Sequence, residues 1–172
     1  QGVGTFAAQL HPVSSTLTIR DLHEEIEARG HRHHVDVQYV REERAGPALA
    51  AQLGLADGAR VFHSMMVHFD NGVPLQCEDR FVNPDRAPDY LKVDFTRITP
   101  TQHLLDVAPL WEAQFTIEAG TATALEARLL GLRAGEPCLI VVRRTMSRGS
   151  TVTLVRLVHP GSRYRIEGRF TP

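Results

Sequence analysis

Four ionisable side chains occupy positions where an ordinary core strand would not carry them: His63 and His68 in one apolar run, Glu78 and Arg80 in the next. The two runs flank Asp70-Asn71-Gly72, and Asn-Gly supplies the positive φ angles of a tight turn, so residues 61–82 read as one long β-hairpin. On such a hairpin a carboxylate, a guanidinium and two imidazoles either hold a small polar molecule or lie on a solvated sheet face. Both readings stand on pattern alone. A second group, His31, His33 and His34, invites a metal. Adjacent residues of a strand point to opposite faces, however, and no cysteine or carboxylate accompanies the three at ligand spacing, so a metal site is not expected.

Several elements are available to position these groups. Asp21 is a candidate N-cap for LHEEIEARG, with Glu24 at the third helical position and Gly30 ending the helix. Val35 and Val37 alternate as in a strand. PALAAQLGL reads as a short helix before the hairpin, and Thr99-Pro100 opens another. Residues 84–91 read as a turn or brief helix. LWEAQFTIEAG alternates as a strand, TATALEARLLGL as a capped helix, and EPCLIVVRRTMSRGSTVTLVRLVHP as two strands about an Arg-Gly-Ser turn. SRYRIEGRF predicts a final short strand. No internal repeat is expected. The fold class is α+β, a mostly antiparallel β-sheet with flanking helices.

With 172 residues the chain suits one domain, and 42% hydrophobic with 23% charged residues is ordinary for a globular protein. A net charge of -1 leaves no electrostatic footprint for nucleic acid or anionic membrane. No apolar run is long enough for a membrane span, and no leader for export is evident. Cys77 and Cys138 sit in apolar strand-like runs and read as buried thiols of a cytoplasmic protein.

The order of the pieces, with GVGTFAA, IRDLHEEIEARGHRH, NGVPLQCEDRFVNPDRAPDYL and HPGSRYRIEGRF, resembles the UTRA domain, the effector-binding domain of GntR-type bacterial transcription regulators of the HutC subfamily. The likeness runs end to end. It implies a chorismate-lyase-like fold and a homodimer with no cofactor. It further implies a repressor domain that senses urocanate or a related small imidazole acid to control histidine-degradation genes. GVGTFAA looks like the end of a winged-helix wing, so residues 1–12 are expected to be wing and linker and 13–172 the UTRA domain. The chain starts at Gln1 without a methionine and is expected to be a fragment, touching DNA only through a winged helix that is missing upstream. Rival readings are a chorismate-lyase-like enzyme, a UTRA domain for another metabolite, and a purely structural dimerisation module.

The resemblance also suggests a site. Arg20 and Thr18, just before the first helix, would take a carboxylate. Many UTRA domains carry arginines where this chain has Met66 and His68, which suits a flat, weakly charged ligand better than a phosphosugar. His68 would hydrogen-bond it and Met66 pack on its plane. Glu78 would accept an imidazole N–H, or serve a structural salt bridge, pairing only weakly with Arg80. Thr153 stands near a glutamate position of sugar-binding relatives. Arg156 is either the partner of Glu78 or a second carboxylate clamp, and Tyr164 an aromatic wall or a core tyrosine.

Overall fold

The computed structural model describes residues 21–110 and 112–166. Thr18, Arg20, the proposed wing and linker at 1–12, and the end of the chain lie outside the described residues. Six strands form the sheet: β1 (His33–Arg44), β2 (Arg60–Asp70), β3 (Val73–Val82), β4 (Glu112–Thr121), β5 (Pro137–Ser147) and β6 (Ser150–Pro160). Their spatial order is β1-β2-β3-β6-β5-β4, and every neighbouring pair is antiparallel. The helices are α1 (Leu22–Glu27), α2 (Pro47–Leu53), α3 (Pro100–Val107) and α4 (Ala124–Leu130), with a 3-10 turn at Tyr90–Lys92. The α+β architecture expected from the sequence is therefore present.

Local chemistry explains the boundaries. Asp21 accepts the His23 N–H at the start of α1, Thr99 accepts the Gln102 N–H at the start of α3, and Thr123 with Glu126 forms a reciprocal capping box on α4. The β2–β3 turn uses Asn71 at φ 49° and Gly72 at φ 80°, as a two-residue hairpin loop requires. The final strand expected over SRYRIEGRF is not seen in its described part, and residues 167–170 lie outside the described residues. The chain leaves β6 in a turn at 161–163, and residues 164–166 have no regular structure.

A second correction is larger, because the structure is built on a repeat. Helix, strand, helix, strand, strand occurs once as α1-β1-α2-β2-β3 and again as α3-β4-α4-β5-β6. Eight of the nine left-handed residues among the described ones fall into pairs 77 positions apart (131 minus 54), Gly54 with Gly131, Gly58 with Gly135, Asn71 with Arg148 and Gly72 with Gly149, and Gly30 alone has no counterpart. Strand register follows the same offset, since Met66 faces Glu78 in the first hairpin and Arg143 faces Val155 in the second. The two halves join edge to edge where β3 pairs with β6.

The sheet is covered on both faces. Helices α2 and α4 lie on one, each packed on the last strand of the opposite half, α2 over β6 and α4 over β3. Their apolar sides meet Val61, Phe81 and Leu154 in one cluster and Met65, Val67, Cys77 and Ile140 in another. On the other face Phe62, Met66 and Val82 pack with Tyr90, Phe95 and Leu104. That face also carries Ser64, His68, Gln76, Glu78, Arg80 and Arg143, all buried, whereas His63 and Glu126 are buried on the opposite one.

Candidate functional site

In a strand the side chains alternate, so register decides which residues can meet. One cross-strand row runs Met66, Glu78, Leu157, Val141; the next runs Ser64, Arg80, Val155, Arg143. Glu78, Arg80 and Arg143 thus share a face, with the two arginines two strands apart, roughly 10 Å at about 4.8 Å per strand. All three are buried, at 2%, 1% and 8% exposure. Arg80 Nε donates to Glu78 Oε1 at 2.7 Å, while the Arg80 terminal nitrogens donate to Thr101 at 3.2 Å and Thr153 at 3.5 Å. Burial pushes the Glu78 pKa upward, but the adjoining Arg80 guanidinium outweighs it and holds the carboxyl well below the usual range. The pair is tight where the sequence reading expected a weak one, because both side chains are held inward together.

Arg143 is different. It donates to Thr101 Oγ1 at 3.2 Å, its Nε has no hydrogen-bond partner, and no carboxylate among the described residues lies within ion-pair distance. Burial, then the like charge of Arg80, brings its pKa down to about 10, still cationic at neutral pH.

A cleft of about 280 Å³ opens over these groups, lined by Asp21, His68, Gln76, Glu78, Thr101 and Arg143, with Leu22 and Leu157 as apolar walls. A second, mostly apolar chamber of about 320 Å³ adjoins it beyond Arg80, Thr101 and Arg143. The rims are tied together by the two helix caps, for Thr99 Oγ1 donates to Asp21 Oδ2. Behind His68 lies a chain of imidazoles: His68 Nδ1 meets His33 Nε2 at 3.0 Å, and His33 Nδ1 meets His23 Nδ1 at 3.3 Å. Burial, then the neighbouring His68 and His23, lower the His33 pKa to about 4, so His33 is neutral at pH 7. His68 Nε2 stands 3.5 Å from Glu78 Oε2 without hydrogen-bond geometry.

The residues singled out from sequence divide accordingly. His68 and Glu78 line the polar cleft; Arg80 and Thr153 line the adjoining chamber. Met66 is fully buried among Val35, Phe62 and Tyr90 rather than at the cleft wall. Tyr164 stacks on His159 at 4.0 Å, and His159 bonds Gln76 at 2.9 Å, so Tyr164 braces the cleft from behind. Arg156 is on the opposite face. Its strand parity differs from that of Leu157, which faces Glu78, and it pairs with Glu126 of α4 at 2.9 Å. His63 is also on that far face, bonded to Asp79 and Tyr39 and stacked on Phe81. Sequence reasoning missed Gln76, Thr101 and Arg143. The Arg143-Arg144 pair was the available signal, since adjacent arginines in a strand must place one on each face.

Comparison with known proteins now bears on this geometry. The model of the UTRA domain matches residues 28–165. The chain belongs to the UTRA domain family. Among curated proteins, this UTRA domain is 52% identical over 171 residues to the "Histidine utilization repressor" of Pseudomonas putida, covering 99% of this chain and 69% of the relative. It is 46% identical over 170 residues to that of Klebsiella aerogenes, covering 99% of this chain and 70% of the relative. A crystal structure of the C-terminal domain of the histidine utilization repressor from Pseudomonas syringae superposes with TM-score 0.80 at 54% identity, covering 82% of this chain and all (100%) of that one. The effector domain of PhnF from Mycobacterium smegmatis shares the fold at 20% identity and TM-score 0.83, covering 91% of this chain and 98% of that one. The chain is a ligand-sensing domain of a transcriptional regulator and not an enzyme. Among the described residues no helix is long and apolar enough to cross a membrane.

Proposed function

We propose that this UTRA domain senses urocanate, or a closely related small imidazole acid, in the cytoplasm, and controls DNA binding by a winged helix preceding it in a homodimeric repressor. The observation that carries the reading is the cleft itself, which gathers the Glu78 carboxylate and His68 with the Thr101 hydroxyl and the buried Arg143 guanidinium. An imidazole N–H needs an acceptor, and the free oxygen of Glu78, beside His68, supplies one. A carboxylate needs cations and N–H or O–H donors, and Thr101 with the arginines supplies those. Leu22 and Leu157 offer apolar walls to the flat conjugated middle of such an acid. Relatives of this chain are named histidine utilization repressors, which supports an effector drawn from histidine breakdown. Thr18 and Arg20 belong to the proposal as further anion ligands beside the start of α1.

Binding at this site alters DNA affinity only by as much as the ligand prefers one arrangement of the dimer over another, typically ~1–3 kcal/mol. Calorimetric titration of urocanate into the 172-residue chain tests the reading. Saturable binding, with the urocanate absorbance unchanged over hours, is the expected result. No heat with urocanate or any imidazole acid would remove the effector assignment.

A further inference from the structure

We propose that Arg143 is the specificity-determining residue of the cleft, the cation that seats the carboxylate of the effector. The inference rests on the reading of the cleft as the effector site and names a residue of β5 that the sequence reading did not.

A buried guanidinium demands a compensating anion or a full set of acceptors. Arg80 has its carboxylate, Glu78, at 2.7 Å; Arg143, equally enclosed, has none among the described residues. Asp21, the other carboxylate lining the cleft, is already occupied, capping His23 through Oδ1 and accepting from Thr99 through Oδ2. A buried Arg with an orphaned Nε costs stability in the unliganded protein, and an anion placed against it removes that cost. The surroundings are arranged for such an anion. Thr101 Oγ1 accepts from both Arg80 and Arg143, which occupies both of its lone pairs and leaves its own proton to donate. The Arg143 Nε–H and the Thr101 O–H are thus left as donors beside two guanidinium charges, a donor set matched to a planar carboxylate.

The repeat sharpens the assignment. Arg143 occupies in the second hairpin the place that Met66 holds in the first, 77 residues earlier by the offset of the paired turns. Met66 is the plain solution at that position, packed into the core. In the second half the same inward position carries a charge, and Arg143 borders both the polar cleft and the apolar chamber. The acid end of the ligand therefore lies on the second half, at Arg143 of β5, and its imidazole end on the first, toward Glu78 and His68.

Binding of three compounds to wild type, Arg143→Gln and Arg143→Lys tests this: urocanate, its neutral methyl ester, and cinnamate, a flat carboxylate without an imidazole. The expected loss for urocanate in Arg143→Gln is roughly 10- to 100-fold, the worth of a charge-assisted hydrogen bond pair. The ester binds weakly and equally to both, and Arg143→Lys recovers part of the affinity. Unliganded Arg143→Gln melts no lower than wild type, whereas a structural arginine would lower the melting temperature. Equal urocanate binding by wild type and Arg143→Gln overturns the proposal. So does a wild type that binds ester and acid equally, a measurement that needs no variant to fold. Arg143-dependent binding of cinnamate with no binding of urocanate removes the imidazole reading and leaves the clamp standing. A wild type that binds no carboxylate removes the clamp as well.

Discussion

Replacing Glu78 by glutamine tests the electrostatics of the cleft without changing its shape. Glu78 and Arg80 are 2% and 1% exposed, so water cannot take over from the lost charge. The amide can still accept from Arg80 Nε, but the compensating charge is gone and Arg143 adds a second guanidinium nearby. Breaking a buried pair by removing one member costs about 3–5 kcal/mol, and the retained hydrogen bond argues for the lower end. With unfolding entropy of about 2.1 cal/mol/K per residue, a 172-residue domain loses about 8 °C of melting temperature for about 3 kcal/mol. The depressed Glu78 pKa sets the pH range. Its stabilisation is fully present above the unfolded carboxylate value and is lost only as pH falls through the lower folded value. The penalty in Glu78→Gln is therefore the same at pH 6 and pH 8. Urea unfolding at both pH values measures it, and the double variant Glu78→Leu/Arg80→Met recovers most of the loss. A penalty under about 1 kcal/mol, or a double variant less stable than the single, would refute the reasoning.

Two further outcomes follow from other parts of the fold. Burial lowers the His159 pKa to about 4, and burial with His68 and His23 does the same for His33. Between pH 6.5 and 4 the unfolded chain takes up protons that the folded chain refuses, so stability falls as pH drops through that window. For His159, 2% exposed, the full effect is about 3 kcal/mol at 1.36 kcal/mol per pH unit, and denaturant midpoints of wild type and His159→Gln at pH 7, 5.5 and 4.5 measure it. A wild-type stability flat across the window would count against it. Gly72→Ala and Gly149→Ala each lose about 1–2 kcal/mol in thermal unfolding, and by nearly equal amounts, because φ is 80° and 76° and a Cβ meets nothing at either site. A clear inequality would show that the two turns are not equivalent.

Hairpins and caps were legible in the sequence because their determinants are local. Asn71-Gly72, Asp21, Thr99-Pro100 and Thr123 each dictate their own few residues. The repeat was not read, although Leu53-Gly54-Leu55 with Gly58 and Leu130-Gly131-Leu132 with Gly135 carry it. It survives at turns and glycines, where backbone φ is constrained, while the strand faces have diverged into Met66 in one half and Arg143 in the other. Arg143 was not read because alternation gives the parity of a strand but not which face is enclosed. Arg156 was assigned to the wrong neighbourhood for the same reason, and only the pairing of Glu78 with Leu157 resolves it.

The seam between β3 and β6 has a kinetic meaning as well. Within each half the strands join neighbours close in sequence, whereas Arg80 and Thr153 are 73 positions apart when they bond across the seam. Closing that long loop comes late in folding, since its entropic cost is met only after both halves exist. The two buried arginines come from different halves, Arg80 from the first and Arg143 from the second, so the cleft and the chamber beside it are assembled when the seam zips. On the proposed binding mode, a small molecule spanning Glu78 and Arg143 would act as a rivet between two folding units. It would then slow amide exchange in β3 and β6 before the outer strands, and tie effector occupancy to how often the two halves part.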